Sequence, residues 1–221
     1  MSAPYDDEFT ADTLDPKWTW TRENVGKWSL TAAPDQLRII SQNNEDIHQN
    51  TGGASSDDAP LLLQSAPNGN FTIETLVTAD PTGRHQQGGL VIYGDDDNYI
   101  RLTYGQFGAS NPGVTGFEFG KEINAVFDPS ATADRPTTDL TWYLRIVRCG
   151  QTYHGYYSLD GVTYTLIGTH RGTTFTVTHF GLTAFNGQGL TPGEKNFDFD
   201  FFHADYPGTA SPCSQQIIMR I

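Results

Sequence analysis

The chain has 221 residues, with 26 aspartates and glutamates against 13 lysines and arginines, and a formal net charge of −13. This charge argues against nucleic acid as a partner, because binding a phosphate backbone requires clustered cations. No apolar run is long enough to span a membrane, so no membrane partner is expected. The amino-terminal residues do not resemble a secretion signal, so the sequence as written predicts a cytoplasmic protein, or an extracellular one if a leader has been removed.

Short apolar runs alternate with turn residues along the whole chain. The predicted strands are Trp28–Thr31, Gln36–Ser41, Leu61–Ser65, Phe71–Thr78, Gly89–Tyr93, Tyr99–Tyr104, Gly116–Phe119, Trp142–Arg148, Thr152–Ser158, Thr163–Thr169, Phe180–Phe185 and Phe197–His203. So many short strands without an amphipathic helix predict an all-β fold, a two-sheet antiparallel β-sandwich of the jelly-roll type. We expect one domain over residues 1–206 and a tail over residues 207–221 that is either poorly ordered or docked elsewhere.

The segment 86–104 predicts a β-hairpin whose second strand has two different faces. Tyr99 and Arg101 alternate with Ile100 and Leu102, so they are expected on the face opposite the core. The same alternation predicts a second hairpin over residues 142–158, followed by a turn at Leu159-Asp160-Gly161.

Three further expectations concern the rest of the chain. Phe197, Phe199 and Phe201 alternate with aspartates, which predicts a closing strand with all three rings on the core side. Residues 43–59 and 127–139 are predicted to be long loops, which in a compact domain are usually functional or disordered. Cys149 and Cys213 either pair or stay free, and their spacing does not decide between these states.

Several short motifs follow one another in a recognisable order. They are Trp28-Ser-Leu-Thr, Gln36-Leu-Arg-Ile, Gln86-Gln-Gly-Gly-Leu, Asp97-Asn-Tyr and Tyr157-Ser-Leu-Asp-Gly. With these motifs the chain resembles concanavalin A-like sandwich domains. It is most similar to the domain at the carboxyl end of family 43 β-xylosidases and arabinofuranosidases, and to the stand-alone relatives of that domain. The resemblance covers residues 7–206, nearly the whole chain.

This resemblance implies a concanavalin A-like fold and a role connected with carbohydrates. The relatives include lectin-like modules and domains that shape a neighbouring active site, so the fold does not fix one function. A family 43 enzyme needs a propeller domain for its chemistry, and the 221 residues contain no such segment. A carbohydrate-binding module is therefore the first expectation, and an interaction module that once belonged to a larger enzyme is another.

Sugar recognition combines aromatic rings, which stack on the apolar face of a sugar, with polar side chains that bond to its hydroxyls. From strand alternation, the predicted ligand-binding residues are Glu74, Gln87, Tyr99, Arg101, Arg145 and Tyr157. If their strands are neighbours, these residues line one groove on the concave sheet. Alternatively, the charged members pair across a solvated sheet, which contributes only about 0.2–1 kcal/mol per pair.

A small glycan-processing enzyme that uses the same groove is the alternative function, and the sequence does not single out its catalytic residues. A glycoside hydrolase needs two carboxylates on either side of the sugar. The nearest approaches to such a pair are Glu118 with Glu122 and Asp198 with Asp200. A polysaccharide lyase instead moves a proton with residues such as His154, Arg145 and either Tyr156 or Tyr157.

Calcium is the predicted metal, and no organic cofactor is expected. Sandwiches that resemble this chain often hold a structural Ca²⁺ between their termini with oxygen ligands. The predicted ligands are Asp7, Glu8, Asp198 and Asp200, with the acidic turn Asp95–Asn98 as an alternative site. The competing interpretation is that these carboxylates belong to solvated acidic turns. The histidines and cysteines lack the close pairs that a zinc site requires.

Overall fold

The computed structural model describes residues 4–48, 57–106, 114–134, 139–187, 193–206 and 213, and these form fourteen strands. The strands are β1 Thr19–Thr21, β2 Trp28–Ser29, β3 Leu37–Ser41, β4 Leu61–Ser65, β5 Phe71–Ala79, β6 Gln86–Asp95, β7 Asn98–Gln106, β8 Thr115–Ile123, β9 Val126–Asp134, β10 Thr141–Cys149, β11 Thr152–Ser158, β12 Thr165–His170, β13 His179–Asn186 and β14 Lys195–Asp205. Each of the twelve predicted strands overlaps one of these. Within the described residues, no helix has the length and apolarity needed to cross a membrane.

The strands form two antiparallel sheets of seven strands each. Sheet I has the order β1-β4-β13-β6-β7-β8-β9, and sheet II has the order β12-β11-β10-β5-β14-β3-β2. The chain changes sheet repeatedly, for instance between β4 and β5 and between β9 and β10. The prediction of an all-β, two-sheet antiparallel sandwich is therefore confirmed.

The main core lies between the two sheets and is rich in aromatic rings. In β5 the burial alternates residue by residue, so that Phe71 and Ile73 face the core while Glu74 faces outward. The ring of Phe197 from sheet II packs against Gly88 of sheet I, where an added Cβ would lie 2.4 Å from a ring atom. Gly88 therefore lets the two sheets approach each other, which gives a physical reason for a glycine in the motif at residues 86–90.

The closing strand β14 departs from the predicted alternation. A β-bulge between Phe199 and Phe201 shifts the register with β5, so that Phe199 pairs with Val77 and Phe201 with Leu76. After this bulge Phe202 points into the core, and Phe201 stacks instead on His203 of the outer face. The expectation that Phe201 faces the core was wrong, because one extra residue in a strand inverts every side chain beyond it.

The predicted long loop at residues 127–139 is mostly a strand. Residues 126–134 form β9 at the edge of sheet I. An edge strand tolerates Pro129, because the N–H that proline lacks is not needed for a bond in the interior of the sheet. The register with β8 shifts between Phe119 and Lys121, which places the extra residues, Pro129 and Ser130, opposite Gly120. The structure also pairs Cys149 with Cys213 in a disulfide. The rest of the tail, residues 207–212 and 214–221, lies outside the described residues.

Candidate ligand site on the outer face of sheet I

The six predicted ligand-binding residues do not lie in one groove. Gln87, Tyr99 and Arg101 lie on β6 and β7, on the outer face of sheet I. Glu74 and Arg145 lie opposite each other on β5 and β10, on the outer face of sheet II. The sequence patterns predicted the outer face correctly for these five residues, but they did not reveal which strands belong to which sheet.

Tyr157 lies in the core, and its neighbour Tyr156 occupies the outer face. Tyr157 pairs with the core residue Leu144, whereas Tyr156 pairs with Arg145. The ring of Tyr157 stacks on Phe117 with 4.4 Å between centroids, which places it between the two sheets. Of the two adjacent tyrosines, the prediction therefore chose the buried one as a ligand-binding residue.

Arg101 is the centre of the polar group on the outer face of sheet I. Its side chain is 5% exposed, and its Nη2 donates to Oε1 of Glu118 at 2.5 Å. Its Nη1 lies 3.6 Å from Oδ1 of Asp46, within range of an ion pair. A charged group that is so fully buried needs partners of opposite charge, and both carboxylates supply them.

Two phenyl rings enclose the same guanidinium. The Cζ atom of Arg101 lies 4.6 Å from the ring centroid of Phe127 and 4.9 Å from that of Phe185. Phe127 pairs with Glu122 on β8, and its ring has room because it lies over Gly120, where a Cβ would approach the ring to 2.9 Å. The site thus combines a cation, two carboxylates and two apolar ring faces.

Several buried polar atoms of this region lack a hydrogen-bond partner within the described part of the chain. They include Nε and Nη1 of Arg101, Oε1 of Glu122 and Nε2 of His85. Buried N–H groups are almost always paired in folded proteins, because leaving one unpaired costs about 1–3 kcal/mol. An acceptor that bonded to either of the two unpaired donors of this buried guanidinium would therefore remove an energetic cost.

A covering segment, residues 42–48 and 57–59, lies over part of this face. Ile47 and Ala59 pack with Tyr99 and Phe185 in a second apolar cluster, separate from the main core. Oε2 of Glu122 accepts the Tyr99 O–H at 2.9 Å and lies 2.5 Å from Nδ1 of His48. Asp46 and His48 were not predicted as site residues, because only the tertiary fold brings an irregular segment onto a strand face.

Burial and neighbouring charges shift several pKa values in this region. Burial raises the pKa of the Asp46 carboxyl, and the nearby Arg101 opposes this effect in part. Burial, and then the charges of Arg84 and Arg101, lower the pKa of His85 to about 4. His85 is therefore neutral near pH 7 and adds no positive charge beside Arg101.

The four predicted calcium ligands each contact a nitrogen donor. Asp7 accepts from Nε1 of Trp18, Glu8 pairs with His203, and Asp198 forms two bonds with Arg38. Asp200 accepts a long bond of 3.4 Å from Nε2 of Gln36. At the alternative site, Asp95 accepts from Asp97 and Asn98 within its own turn. Within the described residues, no three histidine, cysteine, aspartate or glutamate side chains are grouped so that they could hold a metal, and calcium stays a prediction.

The family model of the β-xylosidase C-terminal concanavalin A-like domain matches residues 6–205 of the sequence. The chain belongs to this family. A search of the curated proteins found no match. The expected concanavalin A-like fold is therefore confirmed, and the family places the domain among proteins connected with glycoside hydrolases.

Solved structures with the same fold include a GH43 protein, BlXynB, from Bacillus licheniformis, with a TM-score of 0.75 and 18% identity over 92% of this chain and 39% of the other. A xylan β-1,4-xylosidase from Bacillus halodurans has a TM-score of 0.73 and 21% identity, over 93% of this chain and 40% of the other. A functionally unknown protein from Saccharomyces cerevisiae has a TM-score of 0.66 and 16% identity, over 87% and 97%. The concanavalin A-like domain thus spans about two fifths of the length of the two bacterial enzymes.

Proposed function

We propose that this domain binds a carbohydrate without transforming it, at the Arg101 site on the outer face of sheet I. The observation that carries the proposal is the pair of buried N–H groups on Arg101, Nε and Nη1, that lack a hydrogen-bond partner in the described residues. A ligand hydroxyl that accepts from either group would remove the cost of an unpaired buried donor.

The surroundings of Arg101 also suit a sugar. The partly exposed ring of Phe127 adds apolar surface beside the guanidinium, and the carboxylates of Glu118 and Asp46 can accept hydrogen bonds from sugar hydroxyls. Because Glu118 already balances the charge of Arg101, the site has no spare cation for an acidic sugar. A neutral sugar is therefore the proposed ligand.

Binding at this site requires a local movement. Arg101 is 4% exposed and its Nη1 lies 3.6 Å from Oδ1 of Asp46, so a ligand that reaches Nη1 must displace the part of the covering segment around Asp46. The cost of that displacement reduces the affinity, since only the surplus over ordering and rearrangement costs contributes to binding.

A glycoside hydrolase remains the second candidate, because Glu118 and Glu122 share the outer face with Arg101. Four residues along a strand separate their Cα atoms by about 13–14 Å, whereas hydrolases hold their two carboxyl groups about 5–10 Å apart. Glu122 is moreover engaged by Tyr99 and His48. These contacts favour binding over hydrolysis.

The experiment is affinity gel electrophoresis on a panel of plant, fungal and bacterial polysaccharides. It begins with xylan, because one structural relative is a xylan β-1,4-xylosidase. We expect at least one polysaccharide to retard the domain. Arg101→Lys, which keeps the charge and loses the forked donors, should abolish the retardation, and Arg145→Lys on sheet II is the matched control and should not.

Circular dichroism of each variant separates lost binding from lost folding, and Glu118→Gln offers a second change at the site if Arg101→Lys does not fold. The same incubations are analysed by chromatography for new reducing ends or unsaturated sugars. Absence of retardation on every polysaccharide contradicts the binding proposal. New products that disappear with Glu118→Gln support the hydrolase instead.

A further inference from the structure

A cleft of about 410 Å³ opens at the edge of sheet II, outside the Arg101 site. It lies where β10 begins and β11 ends, and it continues along the turn that leads into β12. Its lining includes Trp142, Tyr157, Leu159, Asp160, Thr163 and Thr165. The volume lies within the range of about 300–1,000 Å³ that is typical of small-molecule pockets.

One wall of the cleft is apolar and rigid. The rings of Trp142 and Tyr157 lie 5.8 Å apart between centroids in an edge-to-face arrangement, and they are only 3% and 5% exposed. Leu159 is 58% exposed at the same cleft. Leu159 therefore presents exposed carbon-rich surface beside the nearly buried edges of the two rings.

The lining also holds a carboxylate that the turn fixes in place. Oδ1 of Asp160 accepts from the N–H groups of Val162 at 2.8 Å and Thr163 at 2.7 Å, and from the Ser158 hydroxyl at 2.9 Å. The hydrogen bonds from these backbone groups hold the pKa of Asp160 at about 2, so the group is ionised at physiological pH. The turn itself is made possible by Gly161, with φ at +67°, as the sequence predicted.

All three of these bonds end on Oδ1, and the Thr163 hydroxyl also bonds to the carboxylate, so Oδ2 keeps lone-pair capacity with which to accept from a ligand. An acceptor that is held rigid before binding loses little entropy when a ligand arrives. None of the cleft-lining side chains in the described residues is a lysine, arginine or histidine. Among its described residues, the cleft therefore has acceptors for hydroxyl groups and no cation for an anionic ligand.

We propose that this cleft is a second carbohydrate site, which binds one unit of a neutral sugar. Asp160 Oδ2 and the hydroxyl of Thr165 bond to sugar hydroxyls, while Leu159 and the edges of Trp142 and Tyr157 contact the apolar face of the sugar ring. The two proposed sites lie on different sheets and share no residue, so each one can be present without the other.

The test is a ¹H–¹⁵N NMR titration of the full chain with methyl β-xyloside, methyl β-glucoside and methyl β-galactoside. At least one of these sugars should shift the amide signals of residues 157–165 and the Trp142 indole. Asp160→Asn keeps Oδ1 as the acceptor of the turn and replaces only Oδ2 by an NH₂ group. We expect this change to weaken binding about tenfold or more, because a hydrogen bond to a charged group is lost.

Asp95→Asn is the matched control, because Asp95 caps the exposed turn between β6 and β7 in the same way and lines no part of the cleft. It should leave the titration unchanged, while Thr165→Val should weaken binding about threefold. Equal effects of the two asparagine variants overturn the proposal. Shifts of equal size with methyl β-xyloside and with glucuronate at the same concentration also overturn it, because the cleft would then not distinguish a neutral sugar from an anionic one. Shifts caused by choline but by none of the sugars also overturn it.

The outcome separates the two sites. Signals that move only next to Gln87 and Arg101 support the proposed function and contradict the cleft. Signals that move only along residues 157–165 support the cleft, and the polysaccharide panel with Arg101→Lys then decides the Arg101 site independently.

Discussion

The outer faces of sheet I and sheet II carry similar side chains in different surroundings. On sheet I, Arg101 is almost fully buried beneath the covering segment, and two of its donors lack partners in the described residues. On sheet II, Arg145 keeps 30% of its side chain exposed, bonds to Glu74 and stacks on the ring of Tyr164 at 3.5 Å. The covering of the strand face thus makes the difference: the uncovered Arg145 forms a surface ion pair that contributes little to stability, whereas the covered Arg101 is the centre of a candidate site.

The largest expected difference comes from removing the buried arginine. Arg101→Ala removes the cation that Glu118 and Asp46 share. Burial already raises the pKa of the Asp46 carboxyl, so its charged form loses a partner that it needs. Breaking a buried charge group in this way costs about 3–5 kcal/mol of unfolding free energy. Urea denaturation at pH 7 measures the loss, and a change below about 1 kcal/mol would mean that solvent reaches this face.

The covering segment can be tested through its apolar anchor. Ile47 is 1% exposed and packs against Tyr99 and Phe185, so Ile47→Ala should reduce the unfolding free energy by about 2–4 kcal/mol. The matched control is Leu76→Ala, at a half-buried position on the outer face of sheet II, which should cost clearly less. Similar losses for the two variants would show that the covering segment does not bury this face in solution.

Two acidic groups of the covering segment should make the protein less stable as the pH rises, whereas in ordinary acid denaturation stability falls as the pH falls. Burial, and then the charges of Asp58 and Glu194, raise the pKa of Glu45 to about 7. Burial, and then Asp96 and Glu122, raise the pKa of Asp57 to about 6. A folded-state pKa above the unfolded value means that the stabilisation is complete below about pH 4 and is lost as the pH rises through about 6 to 7.

Glu45→Gln and Asp57→Asn should therefore each stabilise the protein at pH 8, by about 1 kcal/mol once solvent screening is considered, and should have little effect at pH 4. The difference in unfolding free energy between each variant and the unchanged protein, measured at both pH values, isolates these groups from all others. A stabilisation that is the same at pH 4 and pH 8 would contradict a role for the charge.

These comparisons explain what the sequence could and could not predict. Period-two alternation placed Glu74 and Arg101 on outer faces correctly, because side chains alternate in any regular strand. The same rule failed at Phe201, where a bulge that leaves no signal in the sequence inverts the strand. It also could not place Asp46 over Arg101, since that contact joins an irregular segment to a strand 55 residues away along the chain.

The smallest effect is expected on sheet II. Arg145→Ala removes a pair with Glu74 that water can screen, and a cation–π contact with Tyr164, which together contribute about 1 kcal/mol or less. The Tyr164 O–H still donates to Oε1 of Glu74 at 2.8 Å, so the remaining carboxylate keeps a partner. Urea denaturation at low and high salt measures the difference, which should shrink as salt is added. For Arg101→Ala the loss of unfolding free energy should be nearly independent of salt, because the buried pair is shielded from ions. Equal salt dependence of the two variants would contradict the difference in burial between the two faces.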